Sequence, residues 1–570
     1  MSNESNKLII YQMMFHLWGN TVTNPQKNGH STTNGTTKFI DVSNKALIIL
    51  HDKGFTHLYT TGIIEHATKE DYSDYGCTLD HPSIVKGSCG SPFAIKDYYD
   101  VNPFLANNPE NRLDEFNLMV DRIHENKLKI ILDFVPNHLA RNYQSDKKPD
   151  GVNDFGFNDR KDVDFSPQNN FYYLPGTQFI VPNNGEIDSN IEAYVEIPAK
   201  ASGNNVFSSQ PTIHDWFETV KLNYGIDYHN NGHIHFDPIP DTWYKMLEVL
   251  TYWTNLGVDG FRCDMAEMVP VEFWAFVIPK IKEINPDLIF IAEIYQPSLY
   301  ADYIYKGHFD YLYDKVGLYD SLRSLMEQKS EAHTSLITQV WQQESGEFSN
   351  KMLRFLENHD ETRINSSGFA AHNIWSSIPA MLITSTLHGG PFMIYFGQEF
   401  GEKANEIEGF NDADDRTTMF DFWRVDSHQR WFNHEKFNHD LLTSQEIEID
   451  HFYQQLFNFV KNSNAVQMGQ FFDLQYVQRE NYPSKYVYAY LRYTNDEQLL
   501  FVINFHTSEN FQLEIVIPDL AFELMNKYNL KWKIENMFTP PTIEYKNDEI
   551  SEKIFVEIPP NSALIFKAIS

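Results

Sequence analysis

Cysteine is scarce in this chain. The 570 residues hold three, Cys77, Cys89 and Cys263, an odd number without paired spacing, which argues against a disulfide-stapled secreted scaffold. Positive charge is short as well: 45 Lys and Arg stand against 78 Asp and Glu, a formal net charge of −33. Phosphate backbones and anionic bilayers are gripped by clustered Lys and Arg, so neither nucleic acid nor a membrane is expected as a partner. No apolar run approaches the roughly 18 residues that cross a bilayer. The first apolar segment, Leu8–Phe15, is short, carries Gln12 and lacks a small-residue cleavage site behind it; it reads as a strand rather than a signal peptide. A soluble, cytoplasmic protein is the expectation.

What is plentiful is material for a core. The composition is 42% hydrophobic and 15% aromatic, and most of those rings are expected in packing. Short apolar runs alternate with stretches of helical period, the pattern of βα units around a parallel sheet. Eight strands are predicted: Leu8–Phe15, Phe55–Thr60, Lys129–Val135, Val258–Asp264, Leu288–Glu293, Phe309–Tyr313, Met352–Asn358 and Phe392–Gly397. Helical spacing appears in Leu113–His124, Asp241–Thr254 and Phe452–Lys461. Eight such units predict an α/β fold, a (β/α)8 TIM barrel, whose chemistry sits at the C-terminal strand ends. The Asn-, Gly- and Pro-rich excursion after the third strand is too long for a plain loop and reads as an inserted domain. From about Gln470 the helical period gives way to alternating runs, an antiparallel β-sandwich domain. The expected division is 1–137 and 230–469 for the barrel, 138–229 for the insert and 470–570 for the β domain.

The strand ends carry the chemistry. The third strand runs Asp133-Phe-Val-Pro-Asn137-His138, the fourth Gly260-Phe-Arg262-Cys-Asp264, the fifth ends at Glu293, and the seventh leads into Asn358-His359-Asp360. Singly, each has an ordinary reading: a carboxylate caps a helix, a histidine packs, an arginine pairs. Together, ionisable groups closing otherwise apolar strands at one end of a barrel are costly to bury without a task. Cleaving a glycosidic bond with retention needs two carboxyl groups about 5–5.5 Å apart, a nucleophile and an acid. Neighbouring strands four and five can supply them, with Arg262 projecting to the same side as Asp264 to keep one ionised.

These motifs resemble the alpha-amylase family, glycoside hydrolase family 13. Asp133–His138, Gly260–Asp264, Ala292-Glu293 and Glu357–Asp360 stand in the family's order, with matching flanks in Ser91–Tyr98, Lys221-Leu-Asn223-Tyr and Gly390–Glu399. The resemblance implies a catalytic barrel with an inserted domain B and a C-terminal β domain. It implies Asp264 as nucleophile, Glu293 as general acid/base and Asp360 as transition-state stabiliser. His138, Arg262, His359 and Phe93 would line the reacting subsite, with Arg363 buttressing Asp360. The implied substrates are α-1,4-linked glucans or malto-oligosaccharides; the implied cofactor is calcium at Asn137, with no organic cofactor. This chain departs from the family in three places. Phe93 stands where many members have tyrosine, and Glu267 and Met268 stand where typical amylases carry Lys-His. Two rivals share the pattern: a transglycosylase of the same fold, and a catalytically silent glucan-binding relative, which retention of all three carboxylates disfavours. The acidic run Glu402–Arg416 reads as a solvated loop, and Trp216, Tyr224 and Tyr228 as either sugar platforms or packing.

Overall fold

The structure, a computed structural model, describes residues 7–182, 192–410, 412–543 and 554–569. Eight parallel strands form the central sheet: β1 Ile9–Met14, β2 His57–Thr61, β3 Lys129–Phe134, β4 Gly260–Cys263, β5 Ile289–Ala292, β6 Tyr311–Tyr313, β7 Met352–Leu353 and β8 Phe392–Tyr395. They pair in sequence order, β8 returns to β1, and a bridge between Arg354 and Phe392 joins β7 to β8, so the sheet is a nearly closed barrel. All eight predicted strands are found, most of them shorter than expected, while the second runs one residue further, to Thr61. α1 (Arg112–Glu125) and α2 (Asp241–Asn255) bury the apolar faces that their spacing announced, including Phe116, Val120, Met246 and Trp253.

Strand alternation places the site. Ile10, Tyr59, Ile131, Ile291, Leu353 and Met393 fill one layer of the barrel interior. Two residues further along their strands stand Gln12, Thr61, Asp133 and Glu293. A period of two returns them to the same inner face, one layer nearer the C-terminal mouth. The interior thus changes from largely apolar to polar and acidic within one pleat.

Between β3 and β4 the chain makes short antiparallel ladders. His138–Ala140 pairs with Thr219–Lys221, and Tyr173–Leu174 with Ala199–Lys200. At the C-terminal end, Gln470–Asp473, Val487–Tyr493, Gln498–Asn504, Ser562–Ile569 and Lys531–Phe538 form a five-stranded antiparallel sheet in that order. A ladder of Phe511–Ile515 with Ile554–Ile558 covers one face, and Leu491, Leu500, Val556 and Leu564 pack between them. The other face carries Tyr490, Phe501 and Ile565 into the barrel's core. No helix among the described residues is long and apolar enough to cross a membrane.

Candidate active site

Arg262 organises the mouth of the barrel. It is fully buried, and its Nη1 donates to Asp133 Oδ1 at 2.7 Å and to Asp264 Oδ1 at 2.9 Å, while Nη2 lies 2.7 Å from Glu293 Oε1. Asp133 is held from behind by the hydroxyls of Tyr59 and Thr61, each 2.7 Å from Oδ2. Three carboxyl groups therefore share one guanidinium. Burial and the adjacent Glu293 push Asp264 well above the usual carboxylate range, and Arg262 pulls against them.

Two residues missed by the sequence reading hold Glu293. Tyr295 donates its phenol to Glu293 Oε1 at 2.6 Å, and the backbone N–H of Met265 donates to Oε2 at 2.7 Å. Burial, then the Glu293 charge, holds the Tyr295 phenol in its protonated form. Glu267 does not face the site as a sugar ligand; its Oε2 accepts the N–H groups of Tyr295 and Gln296 at 2.9 and 3.2 Å and so fixes the loop after β5.

Across the mouth, His359 Nε2 lies 3.1 Å from Asp360 Oδ2. Burial alone would lower His359, but Asp360 more than offsets it and raises it. Burial likewise raises Asp360, and His359, with Arg262 and Arg416 further off, brings it below its ordinary value. The Gln12 amide meets His359 Nδ1 at 2.8 Å, and Phe93 stacks on the ring at 5.2 Å. His138 packs against Trp216 at 5.1 Å and accepts at Nδ1 from the Asn137 amide at 3.0 Å. Burial, then Lys221 and Lys86, drops it to about 3, so it is a neutral imidazole with its proton on Nε2.

Asp264, Glu293, His359, Asp360, His138 and Phe93 all line one cavity of about 250 Å3. Arg262 lies just beneath it. Arg363 does not reach it. This corrects the expectation of a buttress for Asp360: Arg363 is fully buried and donates to Glu357 Oε2 at 2.9 Å, Phe396 O at 3.0 Å and Thr417 Oγ1 at 2.9 Å. Of the three aromatics of the insert, only Trp216 reaches the cavity; Tyr224 donates to Pro136 O, and Tyr228 packs on Tyr172 and Phe207. The acidic run after β8 is not simply solvated. Glu402 is buried on Ser427, Asp414 pairs with Arg416, and Glu406 with Arg424.

The calcium expectation meets a different occupant. Asn137 Oδ1, the only oxygen its side chain offers, accepts from the ammonium of Lys221, and its Nδ2 donates to Gly203 O at 2.9 Å. Lys221 Nζ also reaches Met268 O at 3.2 Å. Calcium takes six to eight oxygens including carboxylates; here one amide oxygen and one carbonyl face the Lys221 amine, which burial brings down to about 7, and the residues do not suit the metal. Elsewhere among the described residues, donor atoms cluster at Glu65–Cys77–Asp146 and Glu65–Asp97–Asp100. There Lys96 stands 3.3 Å from Asp80 and 3.6 Å from Glu65, and Arg112 binds Asp100, so protein cations meet the charge.

Comparison with known proteins agrees with this architecture. The alpha amylase catalytic domain matches residues 46–431, and the alpha amylase C-terminal all-beta domain matches 480–569. Alpha-amylase 3 of Dictyoglomus thermophilum is 24% identical over 459 residues, covering 75% of this chain and 78% of that protein. Neopullulanase 2 of Thermoactinomyces vulgaris is 22% identical over 329 residues, covering 56% and 46%. Among solved structures, the noncanonic maltogenic alpha-amylase AmyB from Thermotoga neapolitana shares the fold with a TM-score of 0.59 at 20% identity, covering 99% of both chains. The alpha-amylase from Geobacillus thermoleovorans complexed with acarbose does so at 0.62 and 18%, covering 99% and 98%. With a catalytic-domain match spanning most of its length, over a barrel whose mouth gathers these carboxylates, the chain belongs to the alpha-amylase family of glycoside hydrolases.

Proposed function

We propose that the protein hydrolyses α-1,4-glucosidic bonds of glucans or malto-oligosaccharides with retention, through a covalent intermediate on Asp264. The observation that carries this reading is the Arg262 guanidinium, hydrogen-bonded to Asp264 and ion-paired with Glu293. It ties the two carboxyls that a double displacement needs to one point of the mouth. In this role Glu293 supplies the proton that the leaving group takes, from a carboxyl held at Oε1 by Tyr295 and Arg262 and at Oε2 by the N–H of Met265.

In the first step the Asp264 oxygen not held by Arg262 attacks the anomeric carbon. The bond to the leaving oxygen breaks, and that oxygen takes the Glu293 proton. In the second, Glu293 removes a proton from water, the water oxygen bonds the anomeric carbon, and Asp264 leaves as carboxylate. Asp360 faces the positive charge that develops between these steps. Phe93 supplies an apolar face for the sugar, and neutral His138 a donor to its hydroxyls.

The test is to incubate the enzyme with maltoheptaose, size the products and count reducing ends, with proton NMR on the first anomer released. Shorter products, rising reducing ends and an initial α-anomer agree with the proposal. An initial β-anomer overturns retention. Products longer than the substrate at constant reducing ends replace hydrolysis with glucosyl or maltosyl transfer, and no reaction favours a binding protein.

A further inference from the structure

The cavity is closed on one side. Its acid side is given by Glu293, with Met265 and Tyr295 at the ends of β4 and β5. In an eight-strand ring, β8 lies four strands from β4, directly across the mouth. There the loop after β8 contributes Phe410, Met419 and Phe420 to the cavity wall.

That wall is fastened to the loop after β2. The N–H groups of Cys89 and Gly90 donate to Phe420 O at 2.8 and 3.2 Å, and that of Ser88 to Asp421 Oδ1 at 2.9 Å. His16 Nε2 meets Asp421 O at 3.0 Å. Gly87 makes the approach possible: its φ is +62°, and a Cβ there would stand 2.2 Å from Phe420 O. Lys86 extends the seam to the insert. It pairs with Glu218 at 2.8 Å and lies over the rings of Phe217 and Phe420 at 5.6 and 5.9 Å. Three segments, from β2, the insert and β8, thus meet in one seam opposite the acid.

We infer that this seam makes the active site a dead-end pocket, so that the enzyme removes short units from non-reducing chain ends and does not attack internal or cyclic linkages. The inference rests on the hydrolytic reading above. The leaving group departs past Glu293, so the rest of the bound glucan points the other way, into the wall of Phe410, Met419 and Phe420. A chain continuing in that direction has to displace those side chains, which are carried on a segment fastened by backbone hydrogen bonds. A cavity of about 250 Å3 is also smaller than the roughly 300–1,000 Å3 usual for a pocket that engulfs a drug-sized ligand.

The experiment compares three substrates on the intact enzyme: maltoheptaose, its cyclic seven-unit counterpart, and maltoheptaose blocked at the non-reducing end. The expected result is cleavage of the free linear chain at least about 10- to 100-fold faster than either of the others. Phe420→Ala, which removes a ring from the wall, and Lys86→Ala, which breaks the ion pair to Glu218, should narrow that ratio whatever they do to the absolute rate. Cleavage of the cyclic or blocked substrate at a rate close to that of the free linear one overturns the pocket reading while leaving hydrolysis intact. Failure to cleave the free linear chain overturns the hydrolytic reading, and this inference with it.

Discussion

Replacing Tyr295 with phenylalanine removes one hydroxyl and tests the assignment of Glu293 as the acid. The phenol donates to Glu293 Oε1 at 2.6 Å, in a pocket where Arg262 Nη2 touches the same oxygen. In the proposed role as acid, Glu293 gives up a proton in the transition state and its carboxyl gains negative charge. Hydrogen bonds to charged groups contribute about 1.5–3 kcal/mol, and this one strengthens as charge develops, so its loss falls on the barrier rather than on binding. At 1.36 kcal/mol per decade, kcat/KM on maltoheptaose should drop about tenfold to 150-fold with KM little changed. The control is an aryl maltoside whose leaving group departs without protonation. On that substrate Tyr295→Phe should lose much less in the first step. Equal losses on both substrates, or a change confined to KM, would refute the argument and make Tyr295 a sugar contact instead of a partner of the acid.

Other residues give further tests. Asp264→Asn should cut turnover by about a thousandfold or more while the protein stays folded. It should also raise the melting temperature at pH 7. Asp264 binds its proton more tightly folded than an unfolded aspartate does near 3.9, so its ionisation opposes folding as pH rises past that value. The gain should shrink toward pH 4, which melting curves at the two pH values will show. Exhaustive chelation should leave melting temperature and activity of the native enzyme unchanged. Lys221→Met, which orphans Asn137 Oδ1 and strips a donor from Met268 O, should cost about 1–3 kcal/mol for each group left without its partner in denaturant unfolding. Arg363→Lys should lower stability through Glu357 without moving KM for maltoheptaose, because its side chain never reaches the cavity.

Residues that break a pattern were the ones legible in the sequence. Asp264 and Glu293 stand out because a carboxylate closing an apolar strand has few cheap explanations, and the strand count places both at one mouth. Tyr59 and Thr61 break nothing, and Gln12 interrupts an apolar run but there counts only against a signal peptide. A tyrosine and a threonine are ordinary strand residues, and only the ring of β1, β2 and β3 brings them to His359 and Asp133. Tyr295 lies just past β5, where the course of the chain is set by Glu267 from another loop. Arg363 shows the opposite failure. Its closeness to Asp360 along the chain suggested contact, but its guanidinium turns inward to Glu357 and Phe396 O. Asn137 stands where the family resemblance put it, but its partner comes from 84 residues away.

The departures from the family at Glu267 and Met268, and the lysine at Asn137, belong to one arrangement. Lys221 pairs with His138 in the ladder at the base of the insert, binds Asn137 at the end of β3, and reaches Met268 O in the turn after the nucleophile. A metal at such a junction would stabilise only as far as its free concentration exceeded its dissociation constant. A tethered amine has no concentration to fall, although burial brings Lys221 down to about 7 and its charge is lost above that pH. Glu267, on the same turn as Met268, commits its carboxylate to the N–H groups of Tyr295 and Gln296. The turn is thus fastened on one side to the insert and on the other to the loop that carries the phenol of the acid. Its polar groups bind the protein's own backbone on the leaving-group side, where they fix Glu293 before substrate arrives. Preorganised dipoles act without the cost of reorienting during reaction. Discrimination among substrates then falls to the opposite wall, where Phe420 and Lys86 close the pocket.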